Sequence, residues 1–564
     1  MNHQIQQRIS CIQKQIDYAL LHESVDLAIV NGYVFNVFTR EFEFIDVGIS
    51  QGRIVSLGKN IPAKEVFDAN HQYILPGMID AHTHIESTLL TPLSLDEALI
   101  RAGTTTIIAD PHEIANVSGL KGIQFMLDEA EQTLTDMYFM LPSCVPSVPI
   151  DPSYQTLDAT ELAKLADHPK VLGLAEVMDE FGVIHKDLAV MEKLAYFHNR
   201  IIDGHAPNLS GTSIAAYAST RIKTDHECST VEQLEQRIRL GMYVAIREGS
   251  ASKNMKELLK GVNDKNMHRC MFCTDDIHPQ DILNHGHILA LVREAVNYGL
   301  DIGSAICMAT FNPATCYQLK DVGAIALNYQ ADLVIVDNLT DFNPKHTIKK
   351  GVLYKPKQQC NVETSKIKSS ILVRKLTLDQ LEDHRDHRLT KVIVMQKDSL
   401  LTSEMSVDLS QEEDIVSCVV INRYQPDVHH FIGYVKGSGL KHGAIATSVS
   451  HDAHHILAIG TNNTDLLLAI NTVINHHGGF VLALDNEVLD ALYLPIGGLM
   501  SDQPIEQVAS KMEELQQKSY NQLGFNHSIL AITFLGLPVI GEIKMNVNGY
   551  VSVSSQTIVS KNVT

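Results

Sequence analysis

The sequence predicts an α/β protein with a (β/α)8 TIM-like barrel, a composite β-sandwich domain from both flanks of the barrel, and a C-terminal α+β domain. Strand-then-helix units repeat across the middle of the chain, and short alternating strands lie on both sides of it. A chain of 564 residues has room for about three or four domains. We expect an N-terminal helix and the first part of the β-sandwich domain in 1–72, the barrel in 73–320, the second part of the β-sandwich domain in 321–365, and the C-terminal domain in 366–564.

Charge and composition exclude several classes of protein. The chain has 66 acidic and 45 basic residues and a net charge of −21, which argues against nucleic acid or an anionic membrane as a partner. No run of about 18 apolar residues occurs, so a transmembrane helix is not expected. The nine cysteines are scattered and odd in number, so we expect no disulfide framework and a cytoplasmic location.

The first segment begins with a helix and continues with strands. Apolar residues at 5, 9, 12 and 16 recur every three or four positions, which places them on one face of a short helix. Residues 26–75 alternate like short strands, with turn signals at Asn31-Gly32 and Gln51-Gly52. A similar pattern returns over 322–354, so we expect both flanks to build a single small β-domain.

Eight strand candidates divide the middle of the chain. Their starts are roughly 20–35 residues apart, and polar, helix-compatible stretches lie between them. Eight such units over about 250 residues match a (β/α)8 barrel, although periodicity does not distinguish it from an open doubly wound sheet. The candidates are 73–84, 104–113, 137–144, 171–179, 200–207, 222–227, 243–250 and 271–276.

The last segment mixes strands with helices. A polar, charged stretch at 355–390 marks the boundary before it. Residues 463–479 carry Asn and Thr at the start of an apolar repeat and Gly478-Gly479 at its end, which are the start and stop signals of a helix. We therefore expect a separate domain here.

Side chains that ionise or bind metals follow the predicted barrel strands. Functional groups of such barrels lie at the C-terminal ends of several strands, where the βα loops meet. The sequence matches this pattern at every strand except the third. In chain order the residues are Asp80, His82, His84, Glu86, Asp110, His112, Glu113, Glu176, His205, Asp225, His226, Glu227, Arg247, Glu248, Asp275 and Asp276.

His82 and His84 form the strongest local signal for a metal site. On an extended strand, residues two apart project to the same side, so both imidazoles can face one ion. The pair alone is a weak signal, because the chain has 27 histidines and His285-Gly286-His287 repeats the pattern. The metal-site interpretation therefore depends on further ligands.

Four such ligands fall at spacings that a barrel predicts. Glu176, His205, His226 and Asp275 occupy the ends of the fourth, fifth, sixth and eighth strands. Two imidazole pairs and two carboxylates suit two divalent ions, with Glu176 as the bridging ligand. Bound metal lowers the pKa of a water molecule to roughly 7, which makes it a nucleophile at neutral pH. Asp275 can accept the proton and pass it to a leaving group.

Longer motifs resemble a known family. The string PGMIDAHTHIEST, the later His205, His226 and Asp275, and the split β-domain resemble the amidohydrolase superfamily of metallo-dependent hydrolases. More closely, the motifs GTTTIIADPHEIANVSG, GLAEVMD, TDHE, REGSASKN and CTDD resemble the adenine deaminase family. The resemblance continues through SVSHDAHHILAIGTNN and LPIGGLMSD, so it covers nearly the whole chain.

The resemblance implies hydrolysis of a cyclic amidine C–N bond. The reaction would be deamination of adenine to hypoxanthine and ammonia by a metal-bound hydroxide in a binuclear site, as in purine salvage. The cofactors would be two divalent ions, with manganese preferred and iron or zinc as alternatives. A homo-oligomer of two or more chains is the family expectation. The ligand positions fall on His82, His84, Glu176, His205, His226 and Asp275.

One departure from other members of the superfamily is informative. Cyclic-amide hydrolases commonly have a lysine, modified to a carbamate, at the end of the fourth strand. This chain has Glu176 there, which supplies a bridging carboxylate without modification. The resemblance therefore favours the deaminase.

The reaction needs an acid as well as a nucleophile. Attack at C6 of adenine places negative charge on N1, and a protonated carboxyl group relieves that charge. Glu86, Glu113 and Glu248 are candidates, and we favour Glu113 or Glu248 as catalytic residues beside Asp275, because each follows a strand without a metal ligand. Capping of the following helices is the alternative role. The candidates for substrate binding are Glu86, Ser250 and Asp276.

Other functions remain open from the sequence. One is an amidohydrolase that acts on a cyclic amide or a different aminopurine, and another is a non-catalytic scaffold, although a scaffold is expected to lose ligands that this chain keeps. The polar segment 451–455 suggests a further metal site or a lid over the barrel, but a structural role in the last domain is favoured. Cys270 and Cys273 are interpreted as core residues, because no second CxxC pair accompanies them.

Overall fold

The computed structural model describes residues 3–148, 150–250, 252–356, 367, 370–382, 389–397, 399, 401–538 and 540–562. The expected domain boundary at 365/366 lies outside the described residues. Among the described residues, no helix has the length and apolar character needed to cross a membrane.

Strands from both flanks of the barrel form one eight-stranded sheet. The flanks meet where Leu333–Val336 pairs antiparallel with Tyr73–Pro76. The N-terminal helix, His3–Ala19, packs on this sheet through Tyr18, whose hydroxyl oxygen accepts a hydrogen bond from Ser50 Oγ at 3.2 Å. The strands are Val25–Asn36, Glu41–Ser50, Arg53–Gly58, Ala63–Asp68, Tyr73–Pro76, Leu333–Val336, Pro344–Lys349 and Val352–Leu353.

Lys349 connects this sheet to the barrel. Its buried ammonium group donates to Asp332 Oδ2 and Asp136 Oδ2, each at 2.7 Å, and to the carbonyl oxygen of Thr105 at 2.9 Å. Asp136 and Thr105 belong to barrel strands. Because all three N–H groups have acceptors, the buried charge is compensated.

Eight parallel strands close into a barrel, so the barrel prediction is correct and the open-sheet alternative is wrong. The backbone N–H of Lys223 donates to the carbonyl oxygen of Ile202 at 2.8 Å, which joins strands five and six. The N–H of Asp275 donates to the carbonyl oxygen of His82 at 3.0 Å, which joins strands eight and one. Barrel strands 1 to 8 are Met78–Thr83, Thr104–Ala109, Asp136–Leu141, Val171–Val177, Ile201–Gly204, Thr224–Asp225, Tyr243–Arg247 and Cys270–Cys273.

The single strand expected over 73–84 is two strands that belong to different sheets. Tyr73–Pro76 lies in the flanking sheet, and barrel strand 1 begins at Met78. Gly77 separates them, and a Cβ atom at this position would lie 2.2 Å from Thr105 Oγ1. Glycine therefore permits the close crossing between the two sheets.

Helices follow the barrel strands on the outside. Val231–Arg239 shows the local signals clearly, since Thr230 Oγ1 accepts from the N–H of Gln233 at 3.3 Å and basic residues occupy its last turn. The helices are Pro92–Arg101, His112–Ala130, Ala159–Ala163, Glu180–His185, Leu188–Tyr196, Gly211–Ser219, Val231–Arg239, Met255–Leu258, Pro279–His285, Ile288–Asn297, Ile302–Met308 and Phe311–Cys316. Short 3-10 helices occur at Ile85–Thr88, Leu259–Gly261 and Met267–Arg269.

The C-terminal domain is built on a second eight-stranded sheet, as the α+β prediction requires. Its strands are Leu389–Met395, Thr402–Asp408, Ile415–Ile421, His430–Lys436, Ala444–Thr447, Ile456–Gly460, Gly479–Leu484 and Glu487–Tyr493. A three-stranded sheet is formed by Ile543–Asn546, Gly549–Ser552 and Thr557–Val559. The helical segments are Leu378–Leu381, Asn463–Asn475, Ile505–Lys518, Ser519–Leu523 and Ile529–Gly536.

This domain packs on the barrel beside the C-terminal ends of the barrel strands. The N–H of Ser501 donates to the carbonyl oxygen of Leu89 at 2.8 Å, just after barrel strand 1. Ile114, near the start of the helix after barrel strand 2, lies in the same apolar core as Leu494 and Ile496. The functional face of the barrel therefore borders the C-terminal domain.

Candidate metal centre

Barrel strands 1 and 8 place two imidazoles against one carboxylate. His82 and His84 stand two residues apart at the end of strand 1. Their Nε2 atoms lie 3.5 and 3.3 Å from Asp275 Oδ1, respectively. The N–H of Asp275 donates to the carbonyl oxygen of His82, and the N–H of His84 donates to the carbonyl oxygen of Asp275. These hydrogen bonds hold the strand ends together, so the three side chains converge because the barrel closes here.

Glu176, at the end of barrel strand 4, contacts histidines on both sides. Its Oε2 lies 2.7 Å from His205 Nδ1 and 3.2 Å from His226 Nε2, at the ends of strands 5 and 6. Its Oε1 lies 3.5 Å from His84 Nε2. One carboxylate therefore faces two groups of imidazoles, which is the arrangement expected of a bridging ligand.

The protonation states of the two carboxyl groups depend on their burial and on the charged side chains that they contact. Burial favours the neutral form of Glu176, but His205 and His226 outweigh it and hold the pKa of this carboxyl group well below its usual range. Burial also opposes ionisation of Asp275, whereas His82, His84 and Arg247 hold its pKa well below the usual range. Both carboxylates are consequently in the ionised form that metal ligands require.

The donor set fits divalent metal ions. His82 Nε2 is buried and has no hydrogen-bond partner among the residues that the structure describes. Ligand atoms of His82, His84 and Asp275 lie within 4.8 Å of one another, and so do those of His82, Glu176 and His226. Imidazole nitrogens and carboxylate oxygens suit manganese, iron or zinc. The structure thus brings together all six residues that the sequence predicts as ligands.

Asp110 and His112, which follow barrel strand 2, also join this cluster, although they are not among the ligands predicted from the sequence. His112 Nδ1 lies 3.2 Å from Asp110 Oδ2 and 3.5 Å from Glu176 Oε1. His84 Nδ1 lies 3.1 Å from the carbonyl oxygen of Asp110. The available signal was their position directly after a barrel strand, in the motif ADPHE.

Glu227 and Arg247 connect the two sides of the cluster. Glu227 Oε1 lies 3.6 Å from His205 Nδ1, and its Oε2 accepts from Arg247 Nη2 at 2.8 Å. Arg247 Nη1 also donates to Asp275 Oδ2 at 3.1 Å. Because Arg247 neutralises charge at both carboxylates, it balances an otherwise acidic site. The sequence alone does not predict these contacts.

Glu86 and Glu113 lie next to the cluster and differ in charge. Glu86 Oε1 accepts from the N–H of Ile114 at 3.0 Å, and its Oε2 is buried without a hydrogen-bond partner among the described residues. Burial and then the charge of Glu113 raise the pKa of Glu86 to about 7. Glu113 Oε1 lies 2.7 Å from His451 Nδ1, and this contact holds its pKa below the usual range in spite of burial.

The remaining predicted residues make contacts of other kinds. Glu248 Oε2 accepts from the N–H of Met255 at 3.1 Å, at the start of Met255–Leu258, which matches the capping alternative. Ser250 Oγ donates to Asp281 Oδ2 and accepts from the N–H of His278 at 2.8 Å. Asp276 Oδ1 accepts from Ser87 Oγ. The carboxylate of Glu248 is thus directed to the helix start.

Comparison with known proteins places the chain in a family. The model of the amidohydrolase family matches residues 73–354, and that of the adenine deaminase C-terminal domain matches residues 391–557. The adenine deaminase of Clostridium acetobutylicum is 39% identical over 559 residues, which cover 96% of this chain and 98% of the relative. That of Geobacillus kaustophilus is 40% identical over 569 residues, with 97% and 98% covered. The chain belongs to the adenine deaminase family. The family predicted from the motifs is therefore confirmed.

The two family matches cover different residues of the candidate site. In this member of the adenine deaminase family, all six predicted ligands lie in the match to the amidohydrolase family. His451, which contacts Glu113, lies in the match to the adenine deaminase C-terminal domain. The barrel thus carries the candidate ligands, and the C-terminal domain contributes a contact at the edge of the cluster.

Proposed function

We propose that this protein catalyses the hydrolytic deamination of adenine to hypoxanthine and ammonia. Membership of the adenine deaminase family supports the substrate and the reaction. The observation that carries the proposal is the position of the Glu176 carboxylate, with His205 and His226 on one oxygen and His84 on the other. A carboxylate in this position can be shared by two divalent ions.

The proposed cofactors are two divalent metal ions, with manganese preferred and iron or zinc as alternatives. When bound, the ions supply Lewis acidity, which lowers the pKa of water to near neutrality. The proposed ligands are those that the sequence predicts and the structure groups together: His82, His84, Glu176, His205, His226 and Asp275.

Two carboxyl groups are proposed to move protons in this reaction. Asp275 is ionised, so it can accept a proton from the attacking water and deliver it to the departing amine. Glu86 has an unpaired, buried Oε2 and a pKa of about 7, which suits an acid that relieves charge at N1 of adenine. Glu113 and Glu248, which the sequence favours, remain proposals, and the contacts described above support Glu86 more strongly.

The proposal extends to the biological setting. We propose a role in purine salvage, a cytoplasmic location and a homo-oligomer, with no partnership with nucleic acid or membranes. The described cysteines are free thiols, which agrees with a reducing compartment. The net charge of −21 disfavours polyanionic partners.

Substrate turnover tests the proposal directly. Protein loaded with manganese is incubated with adenine, and the release of hypoxanthine and ammonia is measured beside guanine, adenosine and a panel of hydantoins. We expect adenine to give the highest kcat/KM of the set. Turnover of a hydantoin or guanine without turnover of adenine would contradict the proposal.

A further inference from the structure

A segment of the C-terminal domain, Ser450–His455, reaches the edge of the barrel cluster. His451 Nδ1 lies 2.7 Å from Glu113 Oε1. Asp452 Oδ1 lies 3.9 Å from His112 Nε2. His112 in turn lies 3.5 Å from Glu176, so this segment is separated from a predicted bridging ligand by one side chain.

The C-terminal domain itself fixes the position of His451. The N–H of His451 donates to the carbonyl oxygen of Thr533 at 3.0 Å. Its ring stacks on Phe534, with 4.7 Å between ring centroids and 25° between planes. The side chain is 11% exposed. The imidazole therefore lies between Phe534 and Glu113, where it has little freedom to leave the carboxylate.

An alternative role for Glu113, His451 and His454 is to bind a third metal ion. Ligand atoms of Glu113, His451 and His454 lie within 4.8 Å of one another. However, His454 Nδ1 accepts from the N–H of Ser450 at 3.3 Å, so the proton of the neutral ring is on Nε2. A protonated ring nitrogen does not bind a cation. The contact between His451 and Glu113 is consequently better explained as a hydrogen-bonded ion pair.

Glu113 also needs a partner that sets its orientation. It lies at the start of His112–Ala130, next to His112 in the chain, and its carboxyl group is 3% exposed. The charge of Glu113 also acts on buried Glu86. A donor from another element can fix the geometry of a buried carboxylate through a charge-assisted hydrogen bond. The donor that the structure supplies is His451.

We propose that His451 is a positioning residue that orients the Glu113 carboxylate for deamination, so the C-terminal domain forms part of the active site. The inference rests on the proposed adenine deaminase function. His451 acts through Glu113 and does not bind metal. Its loss is therefore expected to lower kcat while metal content and KM stay nearly constant.

Two substitutions of similar polarity test the role of the Nδ1 atom. In His451→Asn, the amide nitrogen takes the place of Nδ1, whereas in His451→Gln it takes the place of Nε2. We expect kcat for adenine to fall about 10–100-fold in His451→Gln, as for other residues that orient a site from outside it, and to fall less in His451→Asn. KM should stay within about three-fold, and metal analysis should show the same ion content as in the wild type. The reverse order of the two variants would overturn the proposal.

A double-mutant cycle with Glu113→Gln separates positioning from a general structural effect. If His451 acts through Glu113, His451→Gln lowers kcat much less in the Glu113→Gln background than in the wild type. Equal losses in both backgrounds would overturn the proposal. His442→Leu, an exposed histidine of the same domain, serves as the control and should leave kcat unchanged.

The results also distinguish this inference from the proposed function. No turnover of adenine by the wild type would refute the function. Turnover by the wild type, with the same kcat in His451→Gln, would refute only the role of His451. The thermal midpoint of each variant is measured in parallel, and a loss of kcat explained entirely by unfolding at the assay temperature would count against the inference.

Discussion

Arg237 and Asp225 form a fully buried ion pair. Arg237 Nε donates to Asp225 Oδ2 at 2.9 Å, and both side chains are 0% exposed. Asp225 precedes His226, and its Oδ1 accepts from the N–H of Ala206, which follows His205, at 3.2 Å. Arg237 Nη2 donates to the carbonyl oxygen of Ala206 at 2.6 Å. The positions of two predicted metal ligands therefore depend on a pair outside the metal centre.

Loss of this pair should destabilise the barrel. Arg237→Met leaves the Asp225 carboxylate buried without its cation, so we expect the free energy of unfolding to fall by about 3–5 kcal/mol. Urea titration followed by circular dichroism measures the change. Arg239→Met, on the same helix, removes an exposed pair with Glu235 and should change the free energy by less than about 1 kcal/mol. Equal effects of the two substitutions would contradict the prediction.

Removal of the Glu176 charge should release metal. The Glu176→Gln side chain keeps the size of the residue but no longer offers a negative charge to His205 and His226. We expect metal content to fall from about two ions per chain to one or fewer, with more than about 100-fold loss of kcat/KM for adenine. Elemental analysis and steady-state kinetics measure both. Glu192→Gln, on the exposed face of Leu188–Tyr196, is the matched control. Full metal content in Glu176→Gln would refute the bridging role.

The two His-x-His pairs allow a comparison within one chain. His82 Nε2 is buried and contacts the carboxylate of Asp275, whereas the side chain of His285 is 71% exposed. We expect His82→Ala to lose metal and His285→Ala to keep it. Purified variants are compared by elemental analysis after reconstitution with manganese. Loss of metal in both variants, or in neither, would contradict the assignment of His82 as a ligand.

The raised pKa of the Asp151 carboxyl group predicts that the stability of the protein depends on pH. Burial raises its pKa from 3.8 to about 7, while its Oδ1 accepts from Asn546 Nδ2 at 2.9 Å. Between these two pH values the folded state binds the proton that the unfolded state has lost, so this group makes stability fall as pH rises from about 4 to about 7. One such proton changes the free energy of unfolding by at most about 1.4 kcal/mol per pH unit.

The Asp151→Asn variant removes this titration and keeps an acceptor for Asn546. We therefore expect its stability relative to the wild type to increase between pH 5 and pH 7. Urea titrations at each pH measure the difference. Asp502→Asn, which replaces an exposed carboxylate, is the matched control for the substitution itself. A difference for Asp151→Asn that stays constant with pH would show that the buried group does not retain its proton.

The sequence predicted the barrel because strand-then-helix units repeat and every predicted strand except the third ends in ionisable or metal-binding side chains. His82 and Glu176 each follow an apolar stretch, and the spacing between them places them on different strand-then-helix units. The recurrence of short strands on both flanks likewise predicted the composite sheet. These features are local or periodic, so a single sequence contains them.

Contacts between distant elements could not be predicted in the same way. No periodic signal marks Gly77 as the separation between two sheets, because it depends on the nearness of Thr105. The approach of His112 to Glu176 depends on the curvature of the barrel across strands that are not neighbours. The contact of His451 with Glu113 requires knowledge of how two domains pack.

The shared sheet of the two flanks has a consequence for synthesis on the ribosome. Tyr73–Pro76 finds its partner Leu333–Val336 only after the whole barrel has been translated. Until then one edge of the early strands exposes unpaired backbone groups, which favours pairing with other nascent chains. Closure of a loop this long also slows formation of the pairing. We therefore expect nascent chains that end before residue 333 to depend on chaperones to a greater degree than those that extend beyond Leu353.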